Sequence, residues 1–190
     1  MLYVEHGVRS GGTRGVLAPV VEMLLESPGI RILDGRKDFN DLRLSAMETF
    51  FEVVPDELIV DRDIQEHSYN LQGPDGQGKL FFRELKDVSG LGSQEFAVIA
   101  VHEAHEISLH AYRPLKIRCS QKNHPNMILM EGNPPSEGHW LTRLTDPRSE
   151  DHDTDITRWK LTTYENWKNL TEEYKKSLES MPSSWRRRYL

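Results

Sequence analysis

Glu103 is the residue of this chain best placed to do chemistry. It comes with His102 directly after Ala97 to Val101, an unbroken apolar run. A short run rich in Val and Ile reads as a strand buried on both faces, as in a helix-covered parallel sheet. Ligands of open α/β sheets bind at the carboxyl ends of such strands. An acidic pair at that place serves phosphoryl transfer, one residue in the Mg²⁺ shell and the next orienting the attacking water. Here the second acid is Glu103, and His102 stands where the first would be.

The phosphate-binding half of such a site belongs upstream, between an earlier strand and a helix. Leu2-Tyr3-Val4 is a short strand candidate, followed by His6-Gly7-Val8-Arg9-Ser10-Gly11-Gly12-Thr13-Arg14. Val16 to Leu25 then has helical character, with Pro19 expected in the first turn or two. A glycine-rich loop in that place aims backbone N–H groups and the positive helix end at a phosphate. A complete phosphate loop adds Lys for the β/γ-phosphates and Ser or Thr for Mg²⁺. In the register Ser10-Gly11-Gly12-Thr13, Gly12 takes the lysine place and Thr13 the metal. In the register Gly7 to Gly12, Thr13 takes the lysine place and Arg14 that of the hydroxyl. Neither register contains the lysine; read alone, the segment is equally a plain turn.

A second apolar run, Asn126 to Pro135, ends in Glu131-Gly132-Asn133 and reads as a further central strand beside the first. A polar side chain at its tip, Asn133, is placed to sense the γ-phosphate. The bland reading of the same residues is a strand followed by an Asn-Pro turn.

Taken in order, these segments resemble the ATPase domain of the large terminase subunit, the DNA-packaging motor of tailed bacteriophages. GVRSGGTRGVLAP is similar to that family's glycine loop and helix. ILDGRKDFNDLRLSAMETFFEVVP resembles its next strand and Arg-bearing helix, and LFFRELKDVSGLGSQEFAVIAVHEAHEIS its β-hairpin, connector and acidic strand. MILMEGNPPSEGHW resembles the coupling strand, and TTYENWKNLTEEYKKSLESMPSSWRRRYL the segment that closes the ATPase domain before the nuclease.

The resemblance implies a P-loop NTPase-like α/β fold, with a mostly parallel central sheet, helices on both faces and an inserted β-hairpin. It implies that residues 1–190 form one ATPase domain, lacking the N-terminal adenine-contacting segment and the C-terminal nuclease domain. Arg9, Ser10, Gly11, Gly12, Thr13 and Arg14 are the implied nucleotide-binding residues, with ATP and Mg²⁺ as cofactors. Thr13 and His102 are implied at the metal, Glu103 and Asn133 as the catalytic and coupling residues. Two departures bear on activity: Gly12 replaces the lysine, and His102 replaces an aspartate that hard Mg²⁺ would prefer. Arg9 and Arg14 are the candidates for a replacement cation. The function implied is ATP hydrolysis coupled to translocation of double-stranded viral DNA into a procapsid. The implied partners are DNA, a small terminase subunit and a portal protein. A homo-oligomeric ring and the cytoplasm of the infected bacterial host complete the expectation. The alternative is an impaired pseudo-ATPase of the same fold, acting as a nucleotide-binding or structural subunit.

Composition fits that frame. A chain of 190 residues suits one domain with a sizeable core. A net charge of −6 and a pI near 5.8 argue against a domain that coats itself in DNA. Mean hydropathy is −0.62 and no run approaches the ~18 apolar residues of a membrane helix. The single cysteine, Cys119, excludes an intrachain disulfide. His102-Glu103-Ala104-His105 invites a zinc reading, but a zincin needs its histidines four apart on one helix face, and here the spacing is three and His102 lies at a strand end. Arg36 and Arg118 are candidates for an arginine acting on a neighbouring subunit. Arg186-Arg187-Arg188 reads as a solvated basic end, or as a DNA or neighbour contact.

The elements that must position these residues alternate strand and helix. Ile30 to Leu33 is a strand. Phe39 to Val54 is a helix turning Leu42, Met47, Phe50, Phe51 and Val54 to the sheet. Gln65 to Leu71 and Lys79 to Leu85 flank the turn Gly73-Pro74-Asp75-Gly76 and read as a β-hairpin. Glu106 to Tyr112 reads as a short helix broken by Pro114. Ile156 to Thr163 is a late strand with Trp159 and Leu161 on one face, and Leu170 to Met181 a final helix stopped by Pro182.

Overall fold

The computed structural model describes residues 1–190, the side chain of Arg188 excepted. Strand β1 (Leu2–His6) leads through the glycine loop into helix α1 (Gly12–Glu26). After β2 (Arg31–Arg36) come α2 (Phe39–Leu42), a π-helical turn (Arg43–Met47) and α3 (Glu48–Val53). An antiparallel unit follows: β3 (Ile59–Asp63), β4 (Ser68–Gly73) and β5 (Gly76–Glu84). The rest alternates: β6 (Val98–Val101), α4 (Leu109–Arg118), β7 (Met127–Gly132), α5 (Trp140–Thr145), β8 (Thr157–Leu161), α6 (Glu172–Glu179) and α7 (Ser183–Tyr189).

All eight strands form one sheet in the order β3-β4-β5-β2-β6-β7-β1-β8. From β5 to β8 every neighbouring pair is parallel. The carboxyl ends of β2, β6, β7 and β1 therefore lie side by side on one edge. The fold is the expected α/β architecture with its inserted hairpin.

Side-chain alternation along the central strands explains why helices cover both faces. Ile32, Val98, Ala100 and Leu129 join Val16, Leu17, Val20 and Phe50 in one core. Leu33, Ile99, Val101, Ile128 and Met130 join Tyr112, Leu115, Trp140 and Leu141 in the other. Strands apolar on both sides have no face for water, which is why β6 reads as an unbroken apolar run.

Several expectations change. Phe51 is 39% exposed whereas Leu42, Met47, Phe50 and Val54 are buried. Phe50 and Phe51 are consecutive, so one helix face cannot take both. The segment Phe39–Val53 is also not one regular helix, because its middle turn widens to π geometry. Pro114 does not break a helix; α4 runs through it, capped by the Ser108 hydroxyl, which accepts from Ala111 N–H at 3.1 Å. Burial of Ala111, Tyr112 and Leu115 outweighs the one backbone hydrogen bond that proline removes. Pro19 likewise sits well inside α1, beyond the first two turns. Trp159 is 59% exposed on the edge strand β8 and packs little, in contrast to buried Trp140. Arg186 and Arg187 are exposed on α7.

Candidate active site at the carboxyl edge of the sheet

The glycine loop closes on the first residue of α1. Gly11, the N-cap, sits at φ +92°, a left-handed conformation open to glycine at little cost. Arg9 is also left-handed, at φ +56°. This winding turns the loop back so that the amino end of α1 faces a cleft of about 600 Å³. The cleft is lined by His6, Val8, Arg9, Ser10, Gly11, Gly12, Thr13, Arg14, Glu103 and Asn133, and closed by Asn166, Asn169, Leu170 and Tyr174. All six loop residues singled out from the sequence line it, as do Glu103 and Asn133. His102 does not.

Glu103 follows β6 in a left-handed conformation, φ +48°. A non-glycine residue pays about 1–2 kcal/mol for that shape, and such outliers gather at functional sites. Burial, and then the negative charge of Glu131, push its carboxyl above the ordinary range. His105 Nδ1 lies 3.3 Å from Glu103 Oε2. Among the described residues, the buried Ser10 Oγ and Asn133 Oδ1 have no hydrogen-bond partner, and both residues line the cleft.

His102 is 1% exposed and clamped between two carboxylates. Its Nδ1–H donates to Glu131 Oε1 at 2.8 Å and its Nε2–H to Asp34 Oδ2 at 3.0 Å. Burial disfavours the charged ring, yet Asp34, then Glu131, overcome that and raise its pKa to about 10. An imidazolium with both nitrogens donating has no lone pair for a cation, so the expectation of His102 as a metal ligand is corrected to a buried ion-paired strut. Glu131 also meets His6 Nε2 in a short contact, and His6 Nδ1–H donates to the Gly7 carbonyl at 2.9 Å. Although burial opposes it, the hydrogen bonds from His102 and His6 hold the Glu131 carboxyl well below its usual range. Asp34, His102, Glu131 and His6 thus form a row of alternating sign across the tips of β2, β6, β7 and β1.

The sequence of residues 3–189 matches the family model described as phage terminase large subunit. The chain belongs to that family. No curated protein matches the sequence. The chain is similar to the large terminase of a thermophilic bacteriophage in complex with ADP, with a TM-score of 0.81 at 13% identity. That alignment covers 100% of this chain and 47% of the thermophilic-phage protein. The same terminase in complex with ATP-gamma-S gives 0.80 at 12% identity, covering 100% and 46%. The large terminase ATPase domain of Thermus phage P74-26 gives 0.66 at 14% identity, covering 99% and 86%. This terminase chain therefore spans just under half the length of the thermophilic-phage proteins it matches.

Sequence reading of the terminase site missed two groups. One is the buried row itself: Asp34, inside β2, directly follows the apolar residues Ile32 and Leu33, and a carboxylate breaking an apolar run is the signal that would have found it. The other is the segment from Asn166 to Tyr174, whose residues carry no motif. It is tied to the loop by Asn166 Nδ2–H, which donates to the Arg9 carbonyl at 2.6 Å, and by the Arg9 guanidinium 5.9 Å from the centre of the Tyr174 ring. Of the proposed trans-acting arginines, Arg36 is held within its own chain, its Nη2 2.9 Å from Glu106 Oε1.

Proposed function

We propose that this chain is the ATP-driven motor domain of a phage DNA-packaging machine. The observation that carries the reading is the cleft itself. The turn Gly11-Gly12-Thr13 at the amino end of α1 faces Glu103 and Asn133, delivered by the tips of β6 and β7. Nucleotide in related chains supports it, since the thermophilic-phage terminase structures hold ADP and ATP-gamma-S.

The residues present fit a nucleotide triphosphate. Unpartnered Ser10 Oγ and the loop N–H groups suit phosphate oxygens, and the positive end of α1 favours negative charge. The Thr13 hydroxyl would hold the cation, since Mg²⁺ usually keeps several waters and needs few protein ligands. When bound, Mg²⁺ neutralises charge on the β- and γ-oxygens. Glu103 orients a water and takes its proton as the water oxygen bonds to the γ-phosphorus and the bridging oxygen leaves with ADP. A carboxyl pushed upward by burial is better matched to that proton than an ordinary one. Asn133 Oδ1, without a partner, is placed to answer the loss of the γ-phosphate. Coupling to double-stranded DNA, a small subunit, a portal and a ring in the host cytoplasm belong to the same proposal.

One observation favours a second reading, a pseudo-ATPase that binds nucleotide without turning it over. The aspartate place is occupied by His102, which faces Asp34 and Glu131 instead of the cleft. Steady-state phosphate release, with Mg²⁺ and with or without double-stranded DNA, separates the two. Turnover supports the motor; nucleotide binding with phosphate release no faster than buffer supports the pseudo-ATPase.

A further inference from the structure

The turn after β6 closes against a glycine of the neighbouring strand. Glu103 reverses the chain in its left-handed conformation, and Ala104–Glu106 make a single 3₁₀ turn. Glu106 N–H donates to the Glu103 carbonyl at 2.7 Å, and Ala104, fully buried in the second core, pins the turn. Side chains two apart do not meet on a regular helix. Here the reversal brings the His105 ring beside the Glu103 carboxylate, Nδ1 to Oε2 at 3.3 Å. Gly132, at the end of β7, leaves the room for it. A Cβ there would stand 2.9 Å from His105 Nδ1, 3.1 Å from Ala104 N and 3.3 Å from Glu103 Cα.

The two side chains face different spaces. Glu103 lines the nucleotide cleft, whereas His105 lines a separate cavity of about 430 Å³ with Lys37, Lys86, Glu106 and His139. Oε2 and Nδ1 are both buried, and among the described residues neither has a hydrogen-bond partner elsewhere. The other charged groups around Glu103 are Glu131 from β7, His6 from β1 and Arg36 from β2. His6 is committed to Glu131, and Arg36 to Glu106 through two hydrogen bonds of 3.1 and 2.9 Å. His105 is the cation-forming group left to steer the carboxylate.

We infer that His105 is a positioning residue for Glu103: its ring holds Oε2, through charge as well as contact, and turns Oε1 to the water in the cleft. The inference rests on the nucleotide reading above and extends it to a residue outside the cleft. Burial first, and Glu131 next, raise the Glu103 carboxyl, while His105 leads the groups that lower it, ahead of His6 and Arg36. Without the ring the carboxyl keeps its proton to higher pH, and a protonated carboxyl cannot take one from water.

The test uses chains labelled with carbon-13 at the glutamate carboxyls: the parent, His105→Ala and His105→Asn, each checked for folding by its melting curve. The Glu103 signal is assigned by its loss in Glu103→Gln. His105→Ala is expected to move the Glu103 titration to higher pH and to carry the acid limb of phosphate release with it. It should also lower kcat about tenfold or more while the KM for Mg-ATP stays within about twofold. Asn puts an uncharged amide where Nδ1 stood, so His105→Asn is expected to recover most of kcat yet titrate above the parent. A folded His105→Ala chain whose Glu103 titrates as in the parent overturns the inference, whatever its turnover. An Asn variant no faster than the Ala variant removes the orienting role. Should His105→Ala not fold, the titration of His105→Asn decides alone. A parent that releases no phosphate, with its Glu103 titration still moved by His105→Ala, sinks the motor reading and keeps the inference.

Discussion

Raising the pH from 7 to 9 should destabilise this protein measurably, through His102. Its pKa rises from 6.5 to about 10 on folding, because Asp34 and Glu131 outweigh the burial that opposes its charge. A group whose folded pKa exceeds its unfolded value contributes stability fully below the unfolded pKa and loses it as pH climbs through the folded one. Between pH 7 and 9 the folded ring keeps its proton while the unfolded ring is mostly neutral. Stability then falls on the order of 1 kcal/mol per pH unit, or about 2–3 kcal/mol over the window. His6, also shifted upward, adds in the same direction. Typical domains hold 5–15 kcal/mol in total, so the loss is large enough to read. Urea unfolding at 25 °C, followed by far-UV circular dichroism at half-unit steps of pH, measures it. His102→Gln, without the titrating ring, should flatten most of the slope. Cys119, whose thiol burial pushes up to about 11, begins to add in the same direction near pH 9, where the unfolded thiol ionises, so the half-unit steps below about pH 8.5 carry the reading. A parent curve flat to within about 0.3 kcal/mol per unit would mean His102 enters the fold neutral, and the charged row would have to be abandoned.

Glu103→Gln should preserve nucleotide binding and slow phosphate release by about 10²-fold or more, the range seen when a proton-transfer group is removed; unchanged turnover would remove Glu103 from the chemistry. Phe50→Ala should cost about 3–5 kcal/mol, because the ring is fully buried, with centroids 5.5 Å from Phe82 and 6.0 Å from Tyr69. A loss under about 1 kcal/mol by urea unfolding would show that α3 does not anchor that face as described.

The architecture was largely legible because it is written in short-range patterns. β6 reads as an unbroken apolar run, since both its faces meet helices, and Gly73-Pro74-Asp75-Gly76 marks the hairpin turn between β4 and β5. The tips were legible too: a polar residue closing an apolar strand located Glu103 and Asn133. His102 was misread because the same pattern does not tell which way the side chain turns; Asp34 and Glu131, 68 and 29 residues away in sequence, decide that. His6 escaped notice for the same reason, its partner Glu131 lying 125 residues further on. Phe51 failed on geometry alone, as the neighbour of Phe50 on a helix.

The place of β1 in the sheet has a consequence for how the protein is born. Leu2 pairs with Leu129 of β7 and Thr157 of β8, so the strand bearing His6 has no sheet partner until β7 has been synthesised, and its second only with β8. At about 5–20 residues per second the wait before β7 emerges is about 6–25 s. During it, β2, β5 and β6 can pair among themselves, while β7's place beside them and the slot for β1 stay open. The cleft is therefore among the last parts of the molecule to form, since its lining runs from His6 to Tyr174 and its first wall must wait for its last.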